Sequence, residues 1–250
     1  MSGAQVQKRA AAFFDIDGTL VGEPPLENRL FHELRRRGAI PWMNYARWGM
    51  EALRLMPGGL VAVTQGNKRY LRGLRVEEVL DAVEPVAFFE EGVARAEWHA
   101  KRGDAIVLVT GMIKPLARVT AMALECELEA RGVEQEVFVS ATRLDESGGI
   151  FTGRVLGEAN FGEAKRRAIG AFARAMRIDL RESHAYGNTL RDRPMLEGVG
   201  RAHAVNPGRE FAKLANLCDW PIWHWHQVKK CGGEDSLKEK VRLKTTGTHS

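Results

Sequence analysis

The chain has 250 residues, 44% of them apolar and 28% charged, with a formal net charge of +5. This is enough for one α/β domain with a sizeable core plus a smaller insert, and the composition excludes wholesale disorder. The modest positive charge suits an anionic substrate or solubility alone, while no basic stretch interleaved with aromatics marks a nucleic-acid module and no apolar run approaches a membrane span.

Lys8 and Arg9 precede a short apolar run that ends at Asp15, too short for a signal-peptide core. Residues 11–14 (AAFF) read as a short, fully buried strand, and Asp15 to Leu20 as the loop after it. Residues 26–37 have helical spacing at Leu26, Leu30, Phe31 and Leu34, with Gly38 as the stop. An apolar-rich helix follows over 42–56, ended by Pro57-Gly58-Gly59. Further helices are expected at about 60–72, 76–84 and 90–102, so residues 21–97 read as an all-helical inserted cap.

The pattern then changes. Residues 104–110 (DAIVLVT) form a β-branched apolar run, as in a central parallel strand covered on both faces. A helix at 114–131 and a strand at 136–140 follow, and Glu146-Ser147-Gly148-Gly149 predicts a β-hairpin within 141–156. A helix at 162–176, a strand at 183–187, a helix near 192–198 and strands at 201–205 and 220–225 complete the series. Such alternation implies a doubly wound parallel sheet. The expected division is a core of 1–20 and 98–228, a cap of 21–97, and a polar, mobile tail of 229–250.

Four short pieces fall at the carboxyl ends of predicted strands, where open α/β sheets bind ligands. Asp15-Ile16-Asp17-Gly18-Thr19 places two carboxylates on a loop leaving a buried strand. One can attack phosphorus; the other can protonate a leaving oxygen and then activate water. Gly18 permits the turn and a close backbone approach. A bare Asp-x-Asp is more often a solvated turn, but the full string after a buried strand favours chemistry. Thr110-Gly111 offers a hydroxyl and backbone N–H groups to a phosphate at a helix start, or simply caps that helix. Lys165 can neutralise nucleophile and phosphate, although most lysines are solvated. Gly187-Asn188-Thr189-Leu190-Arg191-Asp192 can complete a hard-cation site with Asp15, or begin a helix with an Asn cap.

These pieces, in this order, resemble the haloacid dehalogenase-like superfamily over about residues 10–226. The stretches RLDESGGIFTGRVLGEANFGEAKRRAI and HAYGNTLRDRPMLEGVGRAHAVNP resemble its phosphoserine-phosphatase-like branch. The resemblance implies a Rossmann-like core with an inserted small helical cap, and Mg²⁺-dependent hydrolysis of a small phosphate monoester. Asp15 would be nucleophile and Mg²⁺ ligand, and Asp17 acid/base with its carbonyl on the metal. Gly18, Thr110 and Gly111 would hold phosphate, Lys165 would stabilise charge, and Asn188 and Asp192 would serve the metal. The alternatives are phosphotransfer to an alcohol acceptor, or a weakly active ligand-binding or regulatory relative. The expected partner is a small phosphorylated metabolite, without nucleic acid or stable membrane insertion.

The chain departs from the family at Asn188, where an acidic residue is usual; the lost charge predicts weaker metal binding. Glu23, Glu27, Arg69 and Arg72 lie near the positions that grip phosphoserine in the family, but out of register, so phosphoserine is not assigned. Trp42, Tyr45, Trp48, Met50 and Met56 can line a pocket or touch lipid, with packing between cap helices the preferred reading. Trp220, Trp223 and Trp225 read as edge-strand packing. His224 and His226 share a face, but a transition-metal site needs a third ligand that the sequence does not offer. Lys229, Lys230, Lys238 and Lys240 belong to the tail. Three cysteines (Cys126, Cys218 and Cys231), without metal spacing, suggest a reduced, cytoplasmic setting.

Overall fold

The structure, a computed structural model, describes residues 9–58, 63 and 66–230. Among the described residues, ten strands and eight helices have defined bounds and carry labels in chain order. The central sheet has six parallel strands in the order β4-β3-β1-β7-β8-β9. These are β1 (Ala11–Phe14), β3 (Ala105–Ile113), β4 (Val137–Thr142), β7 (His184–Gly187), β8 (Arg201–Val205) and β9 (Ile222–Trp223). β1 pairs with β3 on one side and β7 on the other. The chain therefore winds outward in both directions from β1, and the crevice at the carboxyl end of β1 is a topological switch point.

Alternate residues of the buried strands serve opposite faces. Phe13, Val107 and Ala185 face a cluster built with Ile169 and Ala173 of α6 (Glu163–Met176) and Phe211 of α8 (Arg209–Leu217). Phe14, Ile106 and Leu108 face Val93 of α4 (Glu90–Lys101) and Leu116 and Leu124 of α5 (Lys114–Ala130). Phe13 and Phe14 are fully buried, each contributing about 2 kcal/mol of transfer free energy to holding β1 in place.

The expected helices at 26–37 and 42–56 are α1 (Leu26–Arg36) and α2 (Trp42–Leu55). Gly38 ends α1 at φ +66°, and the Ala39 N–H returns to the Leu34 carbonyl, a left-handed helix stop. A single 3-10 turn covers Arg69–Leu71, and α3 covers Val76–Asp81. Of the expected helix at 60–72, residues 60–62, 64 and 65 lie outside the described ones; residues 63 and 66 are helical, but the part from 67 on is not α-helix. The predicted hairpin forms from β5 (Leu144–Ser147) and β6 (Ile150–Val155), with positive φ at Gly148 and Gly149, the signature of a type I′ turn. α7 (Arg193–Leu196) is a single turn.

Three features differ from expectation. The stretch 21–97 is not all helical: β2 (Ala87–Phe89) interrupts it, and the helix after it, α4, packs on α5, β3 and β1. The expected tail loses its first two residues, because Lys229 and Lys230 pair with Phe88 and Ala87 in β10 (Val228–Lys230); residues 231–250 lie outside the described ones. The last sheet strand is only two residues long. Beyond it Trp225 leaves the ladder, and its N–H and carbonyl bond instead to the Asn206 side chain at 2.8 and 3.1 Å.

A ring ladder lies across the face that carries Phe14. Tyr186 stacks between Phe14 and His203, with 4.5 Å between centroids on each side. His99 links the Asp104 carboxylate (2.8 Å) to the Tyr186 hydroxyl (2.9 Å). Trp223 Nε1–H donates to His203 Nδ1 at 3.2 Å, and His203 Nε2 meets His184 Nδ1 at 3.0 Å. A ring that accepts at Nδ1 carries its proton on Nε2, so neutral His203 donates to His184.

Candidate active site

β1 delivers Asp15 to the sheet edge, its N–H bonded to the Tyr186 carbonyl of β7 at 2.9 Å. Asp15 is 7% exposed, Lys165 2% and Asp192 1%. Lys165, three residues into the turn that begins at Gly162, donates 2.5 Å to Asp15 Oδ1 and 2.6 Å to Asp192 Oδ1. One ammonium thus serves two carboxylates brought from β1 and from the loop after β7. Burial opposes the Lys165 charge, but the two carboxylates outweigh it and hold its pKa above the ordinary lysine value. Burial, and then the Asp192 charge, push Asp15 up to about 7 against the pull of Lys165.

Asp17 lies two residues on, in a loop folded back so that the Gly18 N–H meets the Val21 carbonyl at 2.6 Å. Its Oδ1 accepts the Leu26 N–H at 2.8 Å, which ties it to the first turn of α1. Burial pushes Asp17 up to about 6, the Leu26 bond opposing and Glu27 and Glu23 adding to the rise. A carboxyl group of that strength carries a proton part of the time near neutrality, as a general acid requires. Gly18 has φ +79°, and a Cβ there would stand 1.9 Å from Asn188 Nδ2. Its bareness lets Asn188 close over the Asp15–Asp17 loop.

Asp192 is engaged throughout. While Oδ1 receives Lys165, Oδ2 accepts the Asn188 N–H (3.2 Å), the Thr189 N–H (3.0 Å) and the Thr189 hydroxyl (2.9 Å). It organises the loop and aims Lys165. Among the described residues no three His, Cys, Asp or Glu side chains converge on a metal-sized site. The side-chain set Asp15, Asp17 and Asp192 therefore does not form a cage, because Asp17 is turned to Leu26 and Asp192 to its own loop. The donors that the resemblance would leave for a cation are the Asp15 carboxylate, the Asp17 main-chain carbonyl and the Asn188 amide oxygen. This set is all oxygen, as Mg²⁺ prefers, and Mg²⁺ ordinarily takes few protein ligands beside water and phosphate.

Thr110 and Gly111 do not begin a helix. β3 continues to Ile113, its pairing with β4 breaks between Val109 and Ile113, and α5 starts only at Lys114. The pair sits in a β-bulge, a device that re-aims backbone and side chains next to active sites. Thr110 is buried, with Oγ1 accepting the Met112 N–H at 3.2 Å. A Cβ on Gly111 would stand 1.9 Å from the Phe161 ring.

Sequence reasoning missed the residues that hold this bulge. Asn160 Nδ2 donates to the Thr110 carbonyl at 3.1 Å and to the Ser140 carbonyl at 2.9 Å. Thr142 donates to the Gly111 carbonyl at 2.7 Å and accepts the Asn160 N–H at 3.0 Å. The ends of β3 and β4 and the approach to Lys165 are thereby knitted together. Nothing in the local pattern signals this; the only cue is an Asn between Gly157 and Gly162. Of the four candidate substrate-gripping residues, Glu27 is held by Lys68 and by Tyr70, and Arg69 by Glu51, while Glu23 and Arg72 are exposed. His224 and His226 stack with ring centroids 6.0 Å apart.

Comparison with known proteins bears on this arrangement. Residues 12–197 match the family model of the haloacid dehalogenase-like hydrolases. The chain is 29% identical over 234 residues to an inhibition of morphological differentiation protein of Streptomyces azureus, covering 88% of this chain and 79% of that one. It is 28% identical over 238 residues to a phosphoserine phosphatase of Mycobacterium tuberculosis, covering 88% and 72%. Its fold is similar to that of a substrate-bound phosphoserine phosphatase, with TM-score 0.58, 22% identity, and coverage of 93% and 99%.

Proposed function

The chain belongs to the haloacid dehalogenase-like hydrolases, in their phosphoserine-phosphatase-like branch, and from that membership we propose that it hydrolyses a phosphate monoester through an aspartyl phosphate on Asp15. The observation that carries the proposal is the buried Lys165 ammonium shared by Asp15 and Asp192, with Asp17 on the same loop.

An Asp15 carboxylate oxygen attacks phosphorus in line. The phosphorus–ester oxygen bond breaks, and the departing alcohol takes the proton of Asp17. Lys165 stays charged throughout and offsets the repulsion between nucleophile and phosphate. The Asp17 carboxylate then accepts a proton from water, the water oxygen bonds phosphorus, and the acyl phosphate bond breaks. Inorganic phosphate leaves, with Asp15 free and Asp17 protonated again. Backbone N–H groups of the Thr110–Gly111 bulge support the phosphate oxygens, while the Gly18 N–H, expected to help, is taken by the Val21 carbonyl and Gly18 serves the turn instead. Mg²⁺, held by Asp15, the Asp17 carbonyl and Asn188, would offset the negative charge of the phosphate. Asp192 acts through Lys165 and the Asn188–Thr189 backbone.

Residues 22–86 serve in this reading as the cap. Their first helix is bonded to Asp17 through Leu26, and this reading draws the limit before β2 rather than at 97, counting α4 with the sheet it packs on.

Release of inorganic phosphate from a chromogenic phosphate ester, with Mg²⁺ present, tests the reaction. Asp15→Asn should abolish turnover and the acid-stable label left on the protein by a radioactive phosphate ester. No turnover across a broad ester panel would overturn the proposal.

A further inference from the structure

α2 is built inside out. Its one buried residue is polar: Asn44, whose Nδ2 donates to the Tyr70 and Arg72 carbonyls at 3.2 and 2.6 Å. Its large apolar side chains face water, with Trp42 76% exposed, Leu53 68% and Met50 62%. At about 100° per residue, Trp42, Met43, Tyr45, Met50 and Leu53 share the side opposite Asn44 and Glu51. Arg47 and Arg54 run along one edge of that side. Of the packing between helices expected for this segment, Trp48 shows it, its ring stacked on Phe31 of α1 with 6.5 Å between centroids, whereas Trp42, Tyr45, Met50 and Met56 are exposed.

The charges around the face are one-sided. From Glu33 to Met56 there are five arginines (Arg35, Arg36, Arg37, Arg47 and Arg54) and two glutamates, Glu33 and Glu51, which leaves a net excess of positive charge. Glu33 is taken by Arg36 and Arg37, and Glu51 by Arg54 and Arg69. An apolar face rich in Trp, Tyr and Met, with Arg47 and Arg54 along one edge and a net basic charge in the flanking sequence, has the make-up of a helix lying in a membrane interface. Anionic headgroups attract each nearby arginine by about 1 kcal/mol. A second copy of the chain offers no such complement, since a two-fold contact sets the same basic border against itself. None of the helices among the described residues is long and apolar enough to cross a membrane, so contact would be at the surface.

The face is also tied to the reaction centre. Asn44 anchors α2 to the turn at Arg69–Leu71, Tyr70 in that turn donates to Glu27 at 3.1 Å, and Glu27 follows Leu26, which is bonded to Asp17. We propose that the α2 face docks on an anionic bilayer surface and so brings the Asp15 site to phosphate monoesters carried by lipids, in place of the expected small metabolite. The docking stands on α2 alone; the lipid substrate class rests on the phosphatase reading.

Sedimentation of the full chain with sucrose-loaded vesicles tests the docking. Vesicles of phosphatidylcholine with a quarter phosphatidylglycerol should carry the protein down, pure phosphatidylcholine should do so far less, and added salt should weaken binding. Trp42→Ala/Leu53→Ala, at exposed positions, should lower the partition coefficient at least about tenfold while leaving turnover of a soluble chromogenic ester unchanged. Equal sedimentation of wild type and variant overturns the proposal. So does self-association in the ultracentrifuge that the same variant abolishes, because a second copy would then cover the face. In a second arm, phosphatidate in these vesicles should be hydrolysed faster by wild type than by the variant; equal rates overturn the lipid assignment. Binding without turnover of any ester would sink the phosphatase reading and leave the docking in place.

Discussion

Lys165 Nζ donates a 2.5 Å hydrogen bond to Asp15 Oδ1 across 150 residues of sequence. Both groups are buried, and the ammonium is also what separates Asp15 from Asp192. The site therefore loses more than an attraction if the cation goes, because two carboxylates are left to face each other.

Lys165→Met should lower turnover by about 10²- to 10³-fold and stability by about 3 kcal/mol. Adding Asp15→Asn to that variant should recover part of the stability, because it removes one of the stranded charges. Urea melts of the two single variants and the double variant give the coupling directly. Additive losses would show that the pair is not coupled.

Asn188→Asp restores a negative charge beside the Asp15 loop. The concentration of Mg²⁺ giving half-maximal activity should fall at least about fivefold, as an added carboxylate strengthens attraction for a divalent cation. Titration of activity with Mg²⁺ reads this out, and an unchanged midpoint would place Asn188 away from the metal.

Gly111→Ala puts a methyl group into the Phe161 ring, 1.9 Å from its nearest carbon. The bulge or the ring must then move, and kcat/KM should fall at least about tenfold through misplaced phosphate contacts. Phe161→Ala in the same chain should return much of the loss. If it returns none, the glycine matters for some reason other than that ring.

Acid should act on the ring ladder. Burial, with His184, Arg95, His99 and Arg201 adding to it, pushes His203 down to about 3. A proton on Nδ1 would also oppose the Trp223 N–H that it accepts. The unfolded chain therefore binds a proton that the folded one refuses between about pH 6.5 and 3, and stability falls as pH drops through that window. His203→Phe keeps a ring on Tyr186 without the titration. Its stability should decline less steeply below pH 6.5, by up to about 1.4 kcal/mol per pH unit. Asp15 and Asp17, which titrate in the opposite sense, are common to both proteins and cancel. Denaturant melts at several pH values check the slope.

What the sequence discloses here is what local pattern can encode. AAFF before Asp15, the apolar run of β3 and the paired glycines of the hairpin each carry their conformation in a few residues, and the structure has them where expected. β2 and β10 have no such signal: each is three residues long and is a strand because the other lies beside it. Asn160 is equally silent, since its partners lie on two strands distant in sequence. α2 shows a different limit. Periodicity tells which residues share a side of a helix, but not whether anything covers that side: Trp48 packs on Phe31 as expected, while Trp42, Tyr45 and Met50 are outside.

The two ends of the stretch between β1 and β2 meet. Val21 and Phe88 form an antiparallel bridge, and the Phe89 N–H bonds the Leu20 carbonyl at 2.9 Å. Some 66 residues thus leave and re-enter through a doorway one bridge wide. A chain built this way can exchange what it carries there, for a shorter turn or for helices of another character, without re-threading the strand that ends in Asp15. The reacting atoms and the surface that chooses what reaches them are in that sense separately inheritable parts.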